Sequence, residues 1–67
     1  MRIEFMIKQI RKEKGYSLEQ LSKLTGISKS HLNYIERNEK EPTFRMVLII
    51  AQVLDVDMND LYKMGNF

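Results

Sequence analysis

Four consecutive polar residues, Ser28 to His31, precede two apolar residues, Leu32 and Ile35, that are spaced as on one face of a helix. Serine is a preferred N-cap residue, so we expect this helix to begin at Ser28. Its polar first turn offers hydrogen-bond donors beside free backbone N–H groups and the positive end of the helix dipole. Such a helix end can bind phosphate and enter the DNA major groove, where lysine and serine meet base edges.

Composition argues against catalysis and metal binding. The 67 residues include no cysteine, a single histidine and no glycine-rich phosphate loop. A lone histidine without cysteine or nearby carboxylates does not form a metal site, and one small domain offers no pocket of ligand size. We therefore expect no enzymatic activity, no cofactor, no metal and no small-molecule substrate.

Hydropathy also gives no sign of a membrane protein. The longest unbroken apolar run, Met46 to Ala51, is far too short to span a bilayer. The first residues lack the apolar stretch and the cleavage site of a secretory signal. We expect a cytoplasmic protein from a cell without a nucleus.

Helix signals divide the chain into short segments with tight links, and we predict an all-α fold in which one domain, residues 1–67, is a compact five-helix bundle. There is no strand-like alternation of useful length. The predicted helices begin at N-caps such as Ser17, whose capping-box partner is Gln20, and end at Gly15, Gly26 and Asn38. Their approximate bounds are Ile3–Lys14, Ser17–Thr25, Ser28–Asn38, Phe44–Leu54 (after the N-cap Thr43) and Asp57–Met64.

The second and third helices form the central unit, at about residues 17–37. Leu18, Leu21 and Leu24 give the second helix a buried stripe. A turn built on Thr25-Gly26-Ile27 follows, and Gly26 is expected in the left-handed conformation that only glycine adopts cheaply. Two short helices joined by such a turn make a helix-turn-helix motif.

Many residues agree in order and spacing with one family of such domains: Arg11 to Leu18, Leu21-Ser22, Gly26-Ile27-Ser28, Leu32, Ile35 to Asn38, Pro42, Ile50-Ala51, Leu54 and Leu61. On these residues the chain resembles the lambda-repressor/Cro family, also called XRE-type, over about residues 6 to 62. The resemblance implies a lambda-repressor-like DNA-binding domain whose third helix reads bases. The reading positions of the family fall on Lys29, Ser30 and Tyr34, with Asn33 nearby. Lys29 can donate to guanine, and Asn33 can pair with adenine.

Further positions are expected to contact the DNA backbone. The family usually has glutamine where this chain has Leu18, which cannot donate a hydrogen bond, so we expect backbone N–H groups to replace that contact. The lone His31 is either a pH-sensitive phosphate contact or a surface residue at the rim of the DNA face. The expected phosphate contacts are Ser17, Ser28, His31, Arg37 and Lys40.

The resemblance also implies an ion pair between Arg11 and Glu36, which would join the first and third helices. We expect this pair to be structural, partly buried and costly to break from one side.

Charge is unevenly distributed along the chain. Residues 1–40 hold nine basic and five acidic residues, a net +4, whereas residues 41–67 hold two basic and four acidic ones, a net −2. The basic half can face a polyanion while the acidic half faces away.

The fourth helix is apolar on almost every side, and a helix of that kind is buried on every side. The family's core positions match Val47, Ile50, Ala51 and Leu54, which leaves other apolar residues unaccounted for. We predict a two-fold homodimer interface at the ends of helices four and five: Ile49, Val53, Met58, Tyr62 and Met64. The alternative is a well-buried central helix in a monomer.

The predicted partner is double-stranded DNA. We expect a dimeric transcriptional repressor whose reading helices enter successive major grooves about 34 Å apart on a roughly palindromic operator; activation remains open. The alternative is a protein–protein interaction module or antitoxin with weak, non-specific DNA binding. The net charge of only +2 and the missing side-chain donor at Leu18 favour that alternative.

Overall fold

The computed structural model describes residues 2–65 and is mostly helical. Four α-helices lie between two short strands, and a 3₁₀ helix precedes the second strand. In chain order the elements are β1 (Arg2–Phe5), α1 (Ile7–Glu13), α2 (Leu18–Thr25), α3 (Lys29–Glu36), α4 (Phe44–Leu54), the 3₁₀ helix (Met58–Leu61) and β2 (Tyr62–Gly65). No helix in this part of the chain is long and apolar enough to cross a membrane.

Side-chain caps begin three helices at the predicted residues. The Ser17 hydroxyl accepts the Gln20 N–H at 3.0 Å and the Gln20 side chain accepts the Ser17 N–H at 2.8 Å, so the predicted capping box is confirmed. Ser28 and Thr43 cap α3 and α4 through their hydroxyls. Each cap satisfies one backbone donor that a helix start leaves without a partner.

Left-handed residues end the same helices. Gly15 follows α1, Gly26 follows α2 and Asn38 follows α3, with φ angles of 81°, 76° and 59°. These three stops are confirmed. Asp55, at φ 57°, ends α4 in the same way and was not expected.

The predicted fifth α-helix is wrong beyond its first turn: Asp57 caps the 3₁₀ helix as expected, but the chain then continues as a strand. The first helix begins at Ile7 rather than Ile3. The chain returns as β2 and pairs antiparallel with β1, so that Tyr62 lies opposite Phe5 and Met64 lies opposite Ile3. These four side chains share one face of the sheet, because alternate residues of a strand point the same way. A four-residue strand is too short to show this period in the sequence, and its partner lies at the other end of the chain.

The core lies around α4 and draws a residue from nearly every element. The predicted core of α4 is confirmed, since Val47, Ile50, Ala51 and Leu54 are all buried. The predicted stripe on α2 is wrong at Leu24, which is 57% exposed. Residues three apart turn by about 300°, so Leu24 and Leu18 lie on opposite flanks of Leu21, and only the Leu18 flank packs against the core.

Candidate nucleic-acid interface

One face of α3 is exposed and polar along its length. At about 100° per residue its members span an arc of about 140°, opposite the buried Leu32 and Ile35. We call this surface the reading face; it consists of Lys29, Ser30, Asn33, Tyr34 and Arg37, all exposed. The structure thus brings together the four predicted base-reading residues and one predicted phosphate contact.

Two further predicted phosphate contacts, Ser28 and His31, lie at the N-terminal end of α3, in different surroundings. The Ser28 hydroxyl accepts the His31 N–H at 3.1 Å, and its own proton stays available for a phosphate. The His31 side chain is half-buried and lies on the flank of α3 nearer the core, about 200° from Lys29. His31 is therefore at the edge of the helix rather than on the reading face.

At the other end of α3, both predicted phosphate-binding cations already have neighbours. Arg37 forms an exposed ion pair with Glu39, at 3.0 Å between Nη2 and Oε1. The Lys40 ammonium lies 5.1 Å from the centre of the Tyr34 ring. Sequence reasoning missed both contacts, because they depend on how the loop after α3 folds back.

The start of α2 is the other place where phosphate contacts were predicted. The oxygen of Ser17 is engaged in the capping box. Leu18 is half-buried and packs against the core, which accounts for an apolar residue at this position. The first helical hydrogen bond runs from Leu21 N–H to Ser17 O, so the N–H groups of Leu18 and Glu19 have no acceptor within the described residues.

Two hydroxyl side chains fasten the turn between α2 and α3. Ser22 Oγ donates to the Ile27 carbonyl at 2.6 Å. Thr25 Oγ1 donates to the Leu21 carbonyl at 2.8 Å and accepts the Ile27 N–H at 3.2 Å. These bonds fix the angle at which α3 leaves α2. Sequence reasoning did not assign either hydroxyl, although both stand within five residues of Ile27.

The ion pair between Arg11 and Glu36 is present. Arg11 Nε donates to Oε2 at 2.7 Å and Nη2 donates to Oε1 at 3.0 Å, while Nη1 donates to the Tyr16 carbonyl at 2.9 Å. The two side chains are only 10% and 3% exposed. The pair holds the last turn of α3 against α1, so it sets the position of the reading face.

An apolar groove of about 250 Å³ lies between the two-stranded sheet and the first turn of α4. Phe44, on its rim, is 68% exposed. Of the predicted interface residues, Met58, Tyr62 and Met64 line this groove, whereas Ile49 and Val53 lie on the nearly opposite side of α4. The groove is lined by Ile3, Phe5, Phe44, Val47, Met58, Tyr62 and Met64.

The described residues contain no cluster of three or more His, Cys, Asp or Glu side chains that could hold a metal ion.

Comparison with known proteins places this geometry in a family. A helix-turn-helix family model matches residues 7–61. The transcriptional regulator SinR of Bacillus subtilis is 46% identical over 56 residues, which cover 82% of this chain and 50% of SinR. This chain therefore spans about half the length of that relative.

Solved structures agree with the sequence match. SinR in complex with DNA superposes with a TM-score of 0.75 at 46% identity, covering 79% of this chain and 86% of that one. The restriction-modification controller protein C.AhdI of Aeromonas hydrophila gives a TM-score of 0.78 at 28% identity, covering 81% and 82% of the two chains. Because the family model spans most of the sequence and the relatives share both residues and fold, the chain belongs to the helix-turn-helix family.

Proposed function

We propose that this protein is a sequence-specific DNA-binding transcriptional regulator and acts as a dimeric repressor. The observation that carries the proposal is the reading face, an exposed polar surface on α3. The Ser22 hydroxyl bond to the preceding turn and the buried ion pair between Arg11 and Glu36 hold α3 in place. Its relative SinR has been solved in complex with DNA, which supports the same role here.

Contacts on the reading face divide into two kinds. Lys29 and Asn33 have the donors and acceptors that recognise guanine and adenine in the major groove, and Ser30 and Tyr34 complete the base-reading set. Arg37, at the end of α3, places positive charge beside backbone phosphates, as Lys40 in the following loop can also do, and phosphate contacts set affinity and register.

Caps at the helix starts provide further phosphate contacts. Ser17 and Ser28 can each donate a hydroxyl proton, and the free N–H groups of Leu18 and Glu19 replace the side-chain donor that Leu18 lacks. Since Leu18 serves the core, its apolar character is no argument for an interaction module without DNA binding.

The proposed dimer forms through the apolar groove. The groove and its exposed rim residue Phe44 lie on the same surface, so two copies related by a two-fold axis can each insert a phenylalanine into the other's groove. Reading helices on successive major grooves are about 34 Å apart. The domain measures 34 × 22 × 20 Å, so two copies side by side cover that spacing without a linker.

Binding of such a dimer to its operator would repress by excluding polymerase, in the cytoplasm of a cell without a nucleus. The role needs no cofactor, metal or enzymatic step.

The test is selection from a random DNA pool at two salt concentrations, followed by sequencing of the bound fraction. We expect an enriched palindrome that is lost when Lys29 and Tyr34 are replaced by alanine. Lys63→Ala removes one positive charge from β2, as Lys29→Ala does from α3, and should leave the selected sequence unchanged. Recovery of unselected DNA that dissociates at moderate salt would contradict sequence reading and favour an interaction module.

A further inference from the structure

Tyr34 lies at the edge of the reading face and is 41% exposed. Its hydroxyl has no hydrogen-bond partner within residues 2–65. The residues one turn earlier on the helix are Ser30 and His31. Within the described residues, no side-chain hydrogen bond or ring–ring contact from α3 fixes the ring.

The loop after α3 supplies a side-chain contact to the Tyr34 ring. The Asn38 N–H donates to the Ile35 carbonyl at 3.1 Å, and the Glu39 N–H donates to the Tyr34 carbonyl at 2.9 Å. These two bonds around a left-handed Asn38 form a Schellman motif, which reverses the chain at the helix end. The reversal brings the Lys40 ammonium to 5.1 Å from the centre of the Tyr34 ring.

We propose that Lys40 is a positioning residue for Tyr34, and that it determines base preference at the operator position that Tyr34 meets. This inference rests on the proposed function. An ammonium at this distance is attracted to the ring face, so the tyrosine is ordered before DNA arrives and less ordering is required on binding.

A phosphate contact alone would behave differently. Removal of a phosphate contact weakens binding to all sequences alike, and it reduces the slope of log affinity against log salt concentration by about one. A positioning contact instead changes which bases are preferred. The two roles of Lys40 are therefore separable by experiment.

The experiment is DNA selection with the wild type, Lys40→Met, Lys40→Arg, Tyr34→Leu and the Lys40→Met/Tyr34→Leu double variant. We expect Lys40→Met to lose preference only at the positions that Tyr34→Leu also loses, and to bind the selected operator about two- to fivefold more weakly. Lys40→Arg should retain the preference, because a guanidinium also binds a ring face. In the Tyr34→Leu background, Lys40→Met should change no preference.

A second readout comes from the free protein. The ring current of Tyr34 should shift the Lys40 ε-methylene proton resonances upfield in NMR spectra, and Tyr34→Leu should abolish that shift. Absence of the shift in the wild type would overturn the positioning role. So would a Lys40→Met variant whose base preferences are intact and whose affinity falls equally for all sequences.

Failure of the proposed function has a different signature. A wild-type selection without any enriched sequence would remove both proposals together. A clear wild-type motif that Lys40→Met leaves unaltered would remove only this one. Lys40 is exposed, so its variants should keep the thermal unfolding midpoint of the wild type.

Discussion

Arg11 and Glu36 join α1 to the last turn of α3 through two parallel hydrogen bonds of 2.7 and 3.0 Å, in a site that is almost closed to water. Removal of one partner leaves the other charge buried and unpaired. We expect Arg11→Met to lower the free energy of unfolding by about 3–5 kcal/mol, as measured by urea denaturation.

The matched control for this prediction removes both charges. Arg11→Met/Glu36→Leu leaves no uncompensated charge, so it should be more stable than Arg11→Met alone. A single variant as stable as the wild type would show that the pair is not closed in solution.

Gly26 ends α2 at φ 76°, and a Cβ atom added there would meet nothing within 4 Å. The cost of Gly26→Ala is therefore backbone strain rather than collision with a neighbour, and we expect a loss of about 1–2 kcal/mol in unfolding free energy. Gly26→Asn should cost less, because asparagine tolerates the left-handed region. Equal losses for alanine and asparagine would contradict this explanation.

Local signals in the sequence predict most of this architecture, since a cap such as Ser17 and its partner Gln20 lie within one turn of each other. The antiparallel sheet was missed because Phe5 and Tyr62 meet only after the whole chain has folded between them. Asp55 was missed because aspartate is uncommon at a left-handed helix end, where glycine or asparagine is the usual signal.

The candidate site was predictable to a similar degree and for similar reasons. Helical periodicity places Lys29, Asn33 and Arg37 on one face without any knowledge of tertiary structure. The neighbours of that face, Glu39 and Lys40, could not be predicted, because their positions depend on the Schellman turn after α3.

Glu39 holds Arg37 in an exposed ion pair and adds a negative charge beside the reading face. We expect Glu39→Gln to strengthen DNA binding and to make it more salt-dependent, because it frees Arg37 for a phosphate and removes repulsion. Fold stability should change by less than about 1 kcal/mol, as is usual for an exposed pair. Fluorescence anisotropy with a labelled operator at several salt concentrations measures both effects.

Glu41→Gln is the control for that experiment, since it makes the same charge change at an exposed residue close by in sequence that forms no ion pair within residues 2–65. Its effect on affinity should be smaller than that of Glu39→Gln. If the two variants strengthen binding equally, release of Arg37 plays no part and only net charge matters.

Phe44 is 68% exposed beside a groove that it does not fill within its own chain. We expect Phe44→Ser to weaken the proposed dimer strongly, because burial of an aromatic side chain in a partner's groove dominates small interfaces. The monomer fold should be little affected, since the side chain contributes little to the core.

Sedimentation equilibrium at micromolar concentrations measures the dissociation constant, and Leu24→Ser, at a residue that is 57% exposed on α2, is the matched control. Phe44→Ser should also bind a single half-site normally while losing affinity for the full palindrome. An unchanged dissociation constant for Phe44→Ser, or a wild type that is monomeric at high micromolar concentration, would exclude the groove as the dimer contact.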